Sequence, residues 1–231
     1  MLRNTIGTIL KKISVFLQSQ KTSRDLHHAE MSESKALIRE REIALSKIAA
    51  DELNGDSLLI DKLLALHPDI SLAVDIGSGA GWASAALSQR VHRVIAIEPS
   101  SAGIELSRNI FPKEEFPTIE WTRGFAENIL PTLKLGAPAV FFTGTVLSHL
   151  RDKEVSKICN AIVQTAPSGS VLSFDECWGD TPWHQMMWHV RTKEWWRQQF
   201  PGWTLDFHGP IVPEKDVHKG IYHKGFWGTK R

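Results

Sequence analysis

The chain has 231 residues, 42% of them hydrophobic and 23% charged, and 27 Lys+Arg against 26 Asp+Glu leave a net charge of +1. That balance fits a folded domain with one sizeable core and removes the basic surplus by which a DNA-binding surface announces itself, so no DNA partner is expected. Two cysteines, Cys159 and Cys177, are too few for a disulfide scaffold or a structural zinc site; with no secretory pattern and no apolar run of the roughly 18 residues a membrane span needs, a cytoplasmic protein is expected.

In chain order, residues 1–28 come first as a separate extension. Arg3, Lys11, Lys12, Lys21 and Arg24 all precede the first acid, Asp25, while Leu2, Ile6, Ile9, Leu10, Ile13, Phe16 and Leu17 recur at helical steps. This predicts a basic amphipathic helix. Packing on the main domain, self-association, contact with a membrane surface and a targeting role all stay open for it. Residues 29–68 read as a helical lead-in, punctuated by Asn54-Gly55-Asp56 and ending with a short helix from Ser57 to Leu66 before His67-Pro68.

From residue 69 to 231 short apolar runs alternate with helical stretches. The runs are Leu72–Ile76, Val94–Ile97, Thr118–Trp121, Ala139–Phe142 and Ser170–Phe174, each separated by enough chain for a crossover helix. Continuous apolar runs fit strands buried on both faces, as in a parallel sheet between helix layers. Trp203–Phe207 and Ile221–Trp227 have no helix between them and predict an antiparallel pair at one edge. Trp188, Trp195 and Trp196 stand at helical spacing and predict rings that cover the sheet.

Residues 74–81, Val-Asp-Ile-Gly-Ser-Gly-Ala-Gly, join the first strand to a helical pattern over Trp82–Gln89. A glycine turn between strand and helix lets backbone N–H groups approach a ligand at the positive end of the helix. A dinucleotide fingerprint counted from Gly77 needs glycine where Trp82 stands, and the Gly-Lys-Ser/Thr of a phosphate loop is missing. Neither nicotinamide nor ATP is favoured. The next strand ends in Glu98-Pro99-Ser100, and a carboxylate there can accept hydrogen bonds from the vicinal hydroxyls of a ribose; the competing assignment is an acid capping the helix from Ser101. Asp75 lies inside an apolar run, where a carboxylate needs a partner.

This pattern resembles the first motif of the class I S-adenosylmethionine-dependent methyltransferases, an acid before a Gly-x-Gly-x-Gly turn, carried here by Asp75, Gly77, Gly79 and Gly81. The resemblance extends to Gly124-Phe125-Ala126-Glu127-Asn128-Ile129, similar to the loop along the adenine though without its frequent acid at position 125. Phe141 to Leu150, with His149, is similar to the fourth strand and following helix, and Ala166 to Phe174 to the fifth, with Ser168 replacing a glycine. The resemblance implies an α/β Rossmann-like fold, a mostly parallel seven-stranded sheet with an antiparallel edge strand and helices on both faces. S-adenosylmethionine is the implied cofactor, with S-adenosylhomocysteine as product. Its implied site is Asp75, Gly77, Ser78, Gly79, Gly81, Trp82, Glu98, Pro99, Phe125, Ala126, Glu127 and Thr143.

Acceptor chemistry is expected beyond the carboxyl ends of the strands. His149, Asp175 and Glu176 are candidate acid-base residues, and Asp175-Glu176 would also serve a polyol or a divalent ion, although no metal ligand set is assigned. Thr145, Trp178, Trp183, His184, Tyr222 and His223 are candidate acceptor contacts, because flat rings with polar neighbours fit saccharide or aromatic ligands. The expected function is methyl transfer, most simply to oxygen of a small-molecule or glycan-like acceptor. Rival readings are a cofactor-binding module without turnover and a membrane-associated enzyme for lipid-linked saccharides.

Overall fold

A computed structural model describes residues 56–180, 182–185, 188–207, 221–222 and 225–231. The extension 1–28 and most of the lead-in lie outside them. The first described helix, α1 (Asp56–Leu66), buries Ile60 and Leu63 against Ala73, Val94, Val140 and Val171. The end of the lead-in is thus part of the core.

Alternation of strand and helix then builds the domain: β1 (Leu72–Ile76), α2 (Trp82–Ser88), β2 (Arg93–Glu98), α3 (Ser101–Ile110), β3 (Ile119–Arg123), α4 (Ala126–Ile129), β4 (Ala139–Gly144), α5 (Asp152–Thr165) and β5 (Val171–Asp175). After β5 come β6 (Trp178–Gly179), β7 (Trp183–Gln185), β8 (Trp188–Thr192), α6 (Lys193–Gln199), β9 (Trp203–Phe207), β10 (Ile221–Tyr222) and β11 (Phe226–Lys230). Seven strands form the main sheet in the order β3-β2-β1-β4-β5-β11-β9. β1 to β5 run parallel, and β11 lies antiparallel between β5 and β9.

The apolar runs are buried because both faces of the sheet are covered. Leu72, Val74 and Ile76 enter one core with Ile95, Ile97, Ala139 and Phe141. The alternate residues Ala73, Val94, Ala96, Val140 and Phe142 enter the other, as the two-residue period of a strand requires. Edge strand β9 instead alternates between half-buried and exposed.

Two expectations change. Ile221–Trp227 does not stay one strand: Ile221 and Tyr222 join a small sheet ordered β10-β6-β8-β7, while Phe226 begins β11. Trp188 belongs to strand β8 rather than to a helix, because it pairs with Gln185 across a tight β7–β8 ladder. Helical spacing alone could not see that ladder. Trp195 and Trp196 are helical, on α6, and Trp196 sits in an aromatic cluster with Phe174 and Phe226 at centroid distances of 6.3 and 4.9 Å; such ring pairs contribute about 0.5–1.5 kcal/mol each beyond their burial.

Candidate active site

Strand order reverses between β1 and β4, and at such a switch point the loops leaving two central strands diverge to form a crevice. The glycine loop leaves β1 here. Gly77, Gly79 and Gly81 have φ of 72, 53 and 93°, values that favour glycine over every residue with a Cβ. Two are also sterically closed: a Cβ at Gly77 would stand 2.6 Å from Val146 Cγ2, and one at Gly81 would stand 2.5 Å from Trp121 Cη2. Gly79 differs, since nothing lies within 4 Å of its Cβ position. Its face looks onto open space.

Glu98 gathers the loops at the carboxyl ends of three strands. Its Oε2 accepts the Gly79 N–H at 3.0 Å and its Oε1 the Ser100 N–H at 2.7 Å, while its carbonyl accepts the Gly124 N–H at 3.1 Å. The loop is also held from β2 by the Ile97 carbonyl, which accepts Gly77 N–H (2.8 Å) and Ser78 N–H (3.1 Å). Ser100 caps α3, its hydroxyl accepting the Gly103 N–H, so the helix cap falls to Ser100. The Glu98 side chain is fully buried. A ribose hydroxyl would meet the same carboxylate as a further donor, since each of its oxygens can accept more than one hydrogen bond.

Asp75 is buried one strand away and accepts a 2.5 Å hydrogen bond from Ser84 Oγ of α2. Burial pushes its pKa up to about 7, with the nearby Glu98 charge adding to the rise and the Ser84 bond opposing it. A cationic ligand would meet the Glu98 carboxylate here, with Asp75 adding negative charge as pH rises through about 7. Ser78 Oγ, 8% exposed, has no hydrogen-bond partner among the described residues. An open glycine face, an orphaned hydroxyl and paired acids fit the charged amino-acid and ribose portions of S-adenosylmethionine. Trp82 begins α2 with its ring edge-on to Phe111 at 5.2 Å, and Phe125, Ala126 and Glu127 start α4 beside β3.

On the acceptor side, Thr145 follows β4 with φ 59°, which strains a β-branched residue. Its N–H donates to the Asp175 carbonyl at 2.8 Å, tying the ends of β4 and β5 together. His149 ends the 3₁₀ turn Leu147–His149 and is half-buried, as is Asp175. Glu176 is 1% exposed and accepts from Leu147 N (2.9 Å), Ser148 N (2.7 Å) and Ser148 Oγ (2.8 Å). Burial lifts its pKa to about 7, opposed by those donors. Thr143 Oγ1 lies by the same carboxylate without a hydrogen bond of regular geometry.

Trp178 is built into the core: its indole N–H reaches the Gly225 carbonyl at 3.3 Å and Lys193 Nζ lies 4.3 Å over its ring. Trp183 and His184 are on β7 and Tyr222 on β10, but their side chains, and His223 altogether, fall outside the described residues. No group of three or more His, Cys, Asp or Glu with metal-binding geometry occurs among the described residues. Sequence reading missed Ser84, Ser148, Trp121 and Arg191. Their roles depend on partners 9 to 44 positions away, which no local pattern marks.

A switch-point crevice with a glycine loop bonded to the acid of the next strand is the place where open α/β sheets hold their ligands. A family model described as "Methyltransferase domain" matches residues 73–169. Among solved structures, the chain is similar to the amino pentose methyltransferase CalS10 from Micromonospora echinaspora, with 15% identity, TM-score 0.55, and 95% of this chain and 96% of that one covered. It is also similar to an S-adenosylmethionine-dependent methyltransferase from Clostridium acetobutylicum, with 9% identity, TM-score 0.59, and coverage of 84% and 98%. Similarity to the mitomycin 7-O-methyltransferase MmcR, at 18% identity and TM-score 0.54, covers 70% of this chain and 49% of that one. No curated protein matches the sequence. Residues 73–169 thus match a methyltransferase domain, and the chain has the α/β fold that these methyltransferase structures share.

Proposed function

We propose that the protein transfers the methyl group of S-adenosylmethionine to an oxygen of a small-molecule or glycan-like acceptor. The observation that carries this reading is the bond from Gly79 to Glu98 at the switch point, with the open face of Gly79 beside it. When bound, the cofactor supplies an electrophilic sulfonium methyl group. Asp75, the 77–81 loop, Glu98 and the start of α4 would hold it. Support for the acceptor class comes from two relatives of the same fold, one an amino pentose methyltransferase and one a 7-O-methyltransferase.

In-line displacement asks the protein to align the acceptor atom and to accept one proton. His149 and Asp175, half-buried after β4 and β5, are the groups proposed to take that proton. Thr145 would contact the acceptor with its exposed side chain, whose hydroxyl donates to the Gly144 carbonyl at 2.8 Å and can accept from a ligand. Glu176 is committed to the turn beneath His149. Trp183 and His184 of β7 and Tyr222 of β10, with His223 next in sequence, are proposed to complete the acceptor side.

Calorimetric titration with S-adenosylhomocysteine, followed by transfer of labelled methyl from S-adenosylmethionine to a panel of hydroxylated small molecules and saccharides, tests the reading. Binding with transfer to a hydroxyl is expected; binding without transfer to any acceptor would favour a module without turnover, and no binding would overturn both. The basic, apolar pattern of residues 1–24 motivates one addition, peripheral contact with an anionic membrane. Sedimentation with anionic liposomes should then drop on deleting those residues. No helix among the described residues is long and apolar enough to cross a membrane.

A further inference from the structure

Arg191, on β8 of the small sheet, is 2% exposed. Its guanidinium reaches out of that sheet to the segment after β4: Nη1 donates to the Leu147 carbonyl (2.9 Å), Nη2 to the Leu150 carbonyl (2.5 Å) and Nε to Asp152 Oδ1 (2.9 Å). Its Cζ also lies 4.9 Å from the centroid of the Trp195 ring. Glu176 holds the other end of the same segment by accepting the Leu147 and Ser148 N–H groups, and the Ser148 hydroxyl that donates to it accepts the Cys177 N–H at 3.0 Å. A carboxylate at the N–H end and a guanidinium at the carbonyl end match the dipole of the turn between them. A three-residue turn has too few internal bonds to hold its own shape, and burying two charges around it is costly unless their geometry is used.

We propose that Arg191 and Glu176 are positioning residues that set the Leu147–His149 turn against the ends of β4 and β5, so that the small sheet, through β8, fixes where His149 stands in the acceptor site. This rests on the methyl-transfer reading for the purpose of the clamp, not for its existence. Arg191 works through its planar fork rather than its charge alone, because one guanidinium serves Asp152, the Leu147 and Leu150 carbonyls and, at 3.4 Å, the His189 carbonyl. Lysine in its place keeps the charge and loses the fork.

The test compares wild type with Arg191→Lys, Arg191→Met, Glu176→Gln and the milder Asp152→Ala, which removes one exposed strut. Three readouts are taken with and without S-adenosylhomocysteine: its affinity by calorimetry, the NMR titration of the His149 imidazole (assigned by its loss in His149→Gln), and the reaction of Cys177 with a disulfide thiol probe. Cys177 is buried beside the clamp. Expected results are S-adenosylhomocysteine affinity within about twofold of wild type, a displaced His149 titration midpoint, and Cys177 labelling faster by about tenfold as the segment opens locally. Arg191→Lys should resemble Arg191→Met, and Asp152→Ala should move the same readouts less. If the His149 titration and Cys177 labelling match wild type in Arg191→Met, or in Asp152→Ala should the former not fold, the proposal is overturned. Failure of the wild type to bind S-adenosylhomocysteine strikes only the cofactor reading, since the other two readouts are taken without ligand as well.

Discussion

Gly79 donates its N–H to Glu98 Oε2 at 3.0 Å across nineteen positions of sequence, so the turn after β1 and the acid after β2 form one unit. Because the Glu98 carbonyl also receives Gly124 N–H, the same residue carries the turn that leads from β3 into α4. Disturbing Glu98 should therefore disturb three loops together. Glu98→Gln places an amide N–H₂ where one of two backbone donors needs an acceptor, a clash of like groups costing about 1–3 kcal/mol. S-adenosylhomocysteine affinity, measured by calorimetry, should fall by about tenfold or more, and an unchanged affinity would show that the carboxylate serves only the backbone.

The three glycines separate strain from contact. Gly81→Ala, with φ 93° and Trp121 in the way, should lower the thermal midpoint and abolish S-adenosylhomocysteine binding. At Gly79→Ala only the left-handed backbone opposes folding, at about 1–2 kcal/mol. The folded protein should survive, and its affinity should drop because the new methyl occupies the open face. Equal affinities for wild type and Gly79→Ala would place the ligand elsewhere.

The raised pKa of Asp75 sets a pH dependence of stability. Its folded value is about 7 against an ordinary 3.8, so the folded state holds the proton more tightly than the unfolded chain. The contribution is fully present below about pH 4 and is lost as pH rises through about 7. Asp75→Asn, which cannot ionise, should gain in thermal midpoint relative to wild type as pH goes from 5 to 8, measured without ligand. A difference that shrinks over that range would contradict the buried, protonated assignment.

His149 and Asp175 carry the proposed proton transfer. With an acceptor from the panel, His149→Asn or Asp175→Asn should reduce kcat by about 10²–10⁴-fold if that residue is the base, while S-adenosylhomocysteine affinity stays near wild type. Loss confined to one of the two would name the base. Neither losing activity would assign the proton to solvent.

The alternation of apolar runs and helices, the glycine turn and the acid closing β2 were all legible in the sequence, because each is local: two-residue periodicity, positive-φ glycines and a buried strand end leave their mark within a few positions. Residues 72–76, 77–81 and 98 therefore pointed to fold and cofactor class together, while the switch point itself came with the strand order of the folded sheet. What only the tertiary structure decided were the pairings between distant positions. The split of Ile221–Trp227 between two sheets, the strand at Trp188, the engagement of Glu176 by Leu147 and Ser148, and the reach of Arg191 to Leu147 and Leu150 depend on which surfaces meet once the chain has closed. A buried charge is stabilised by whatever donors or acceptors packing brings to it, and no spacing along the chain encodes that choice.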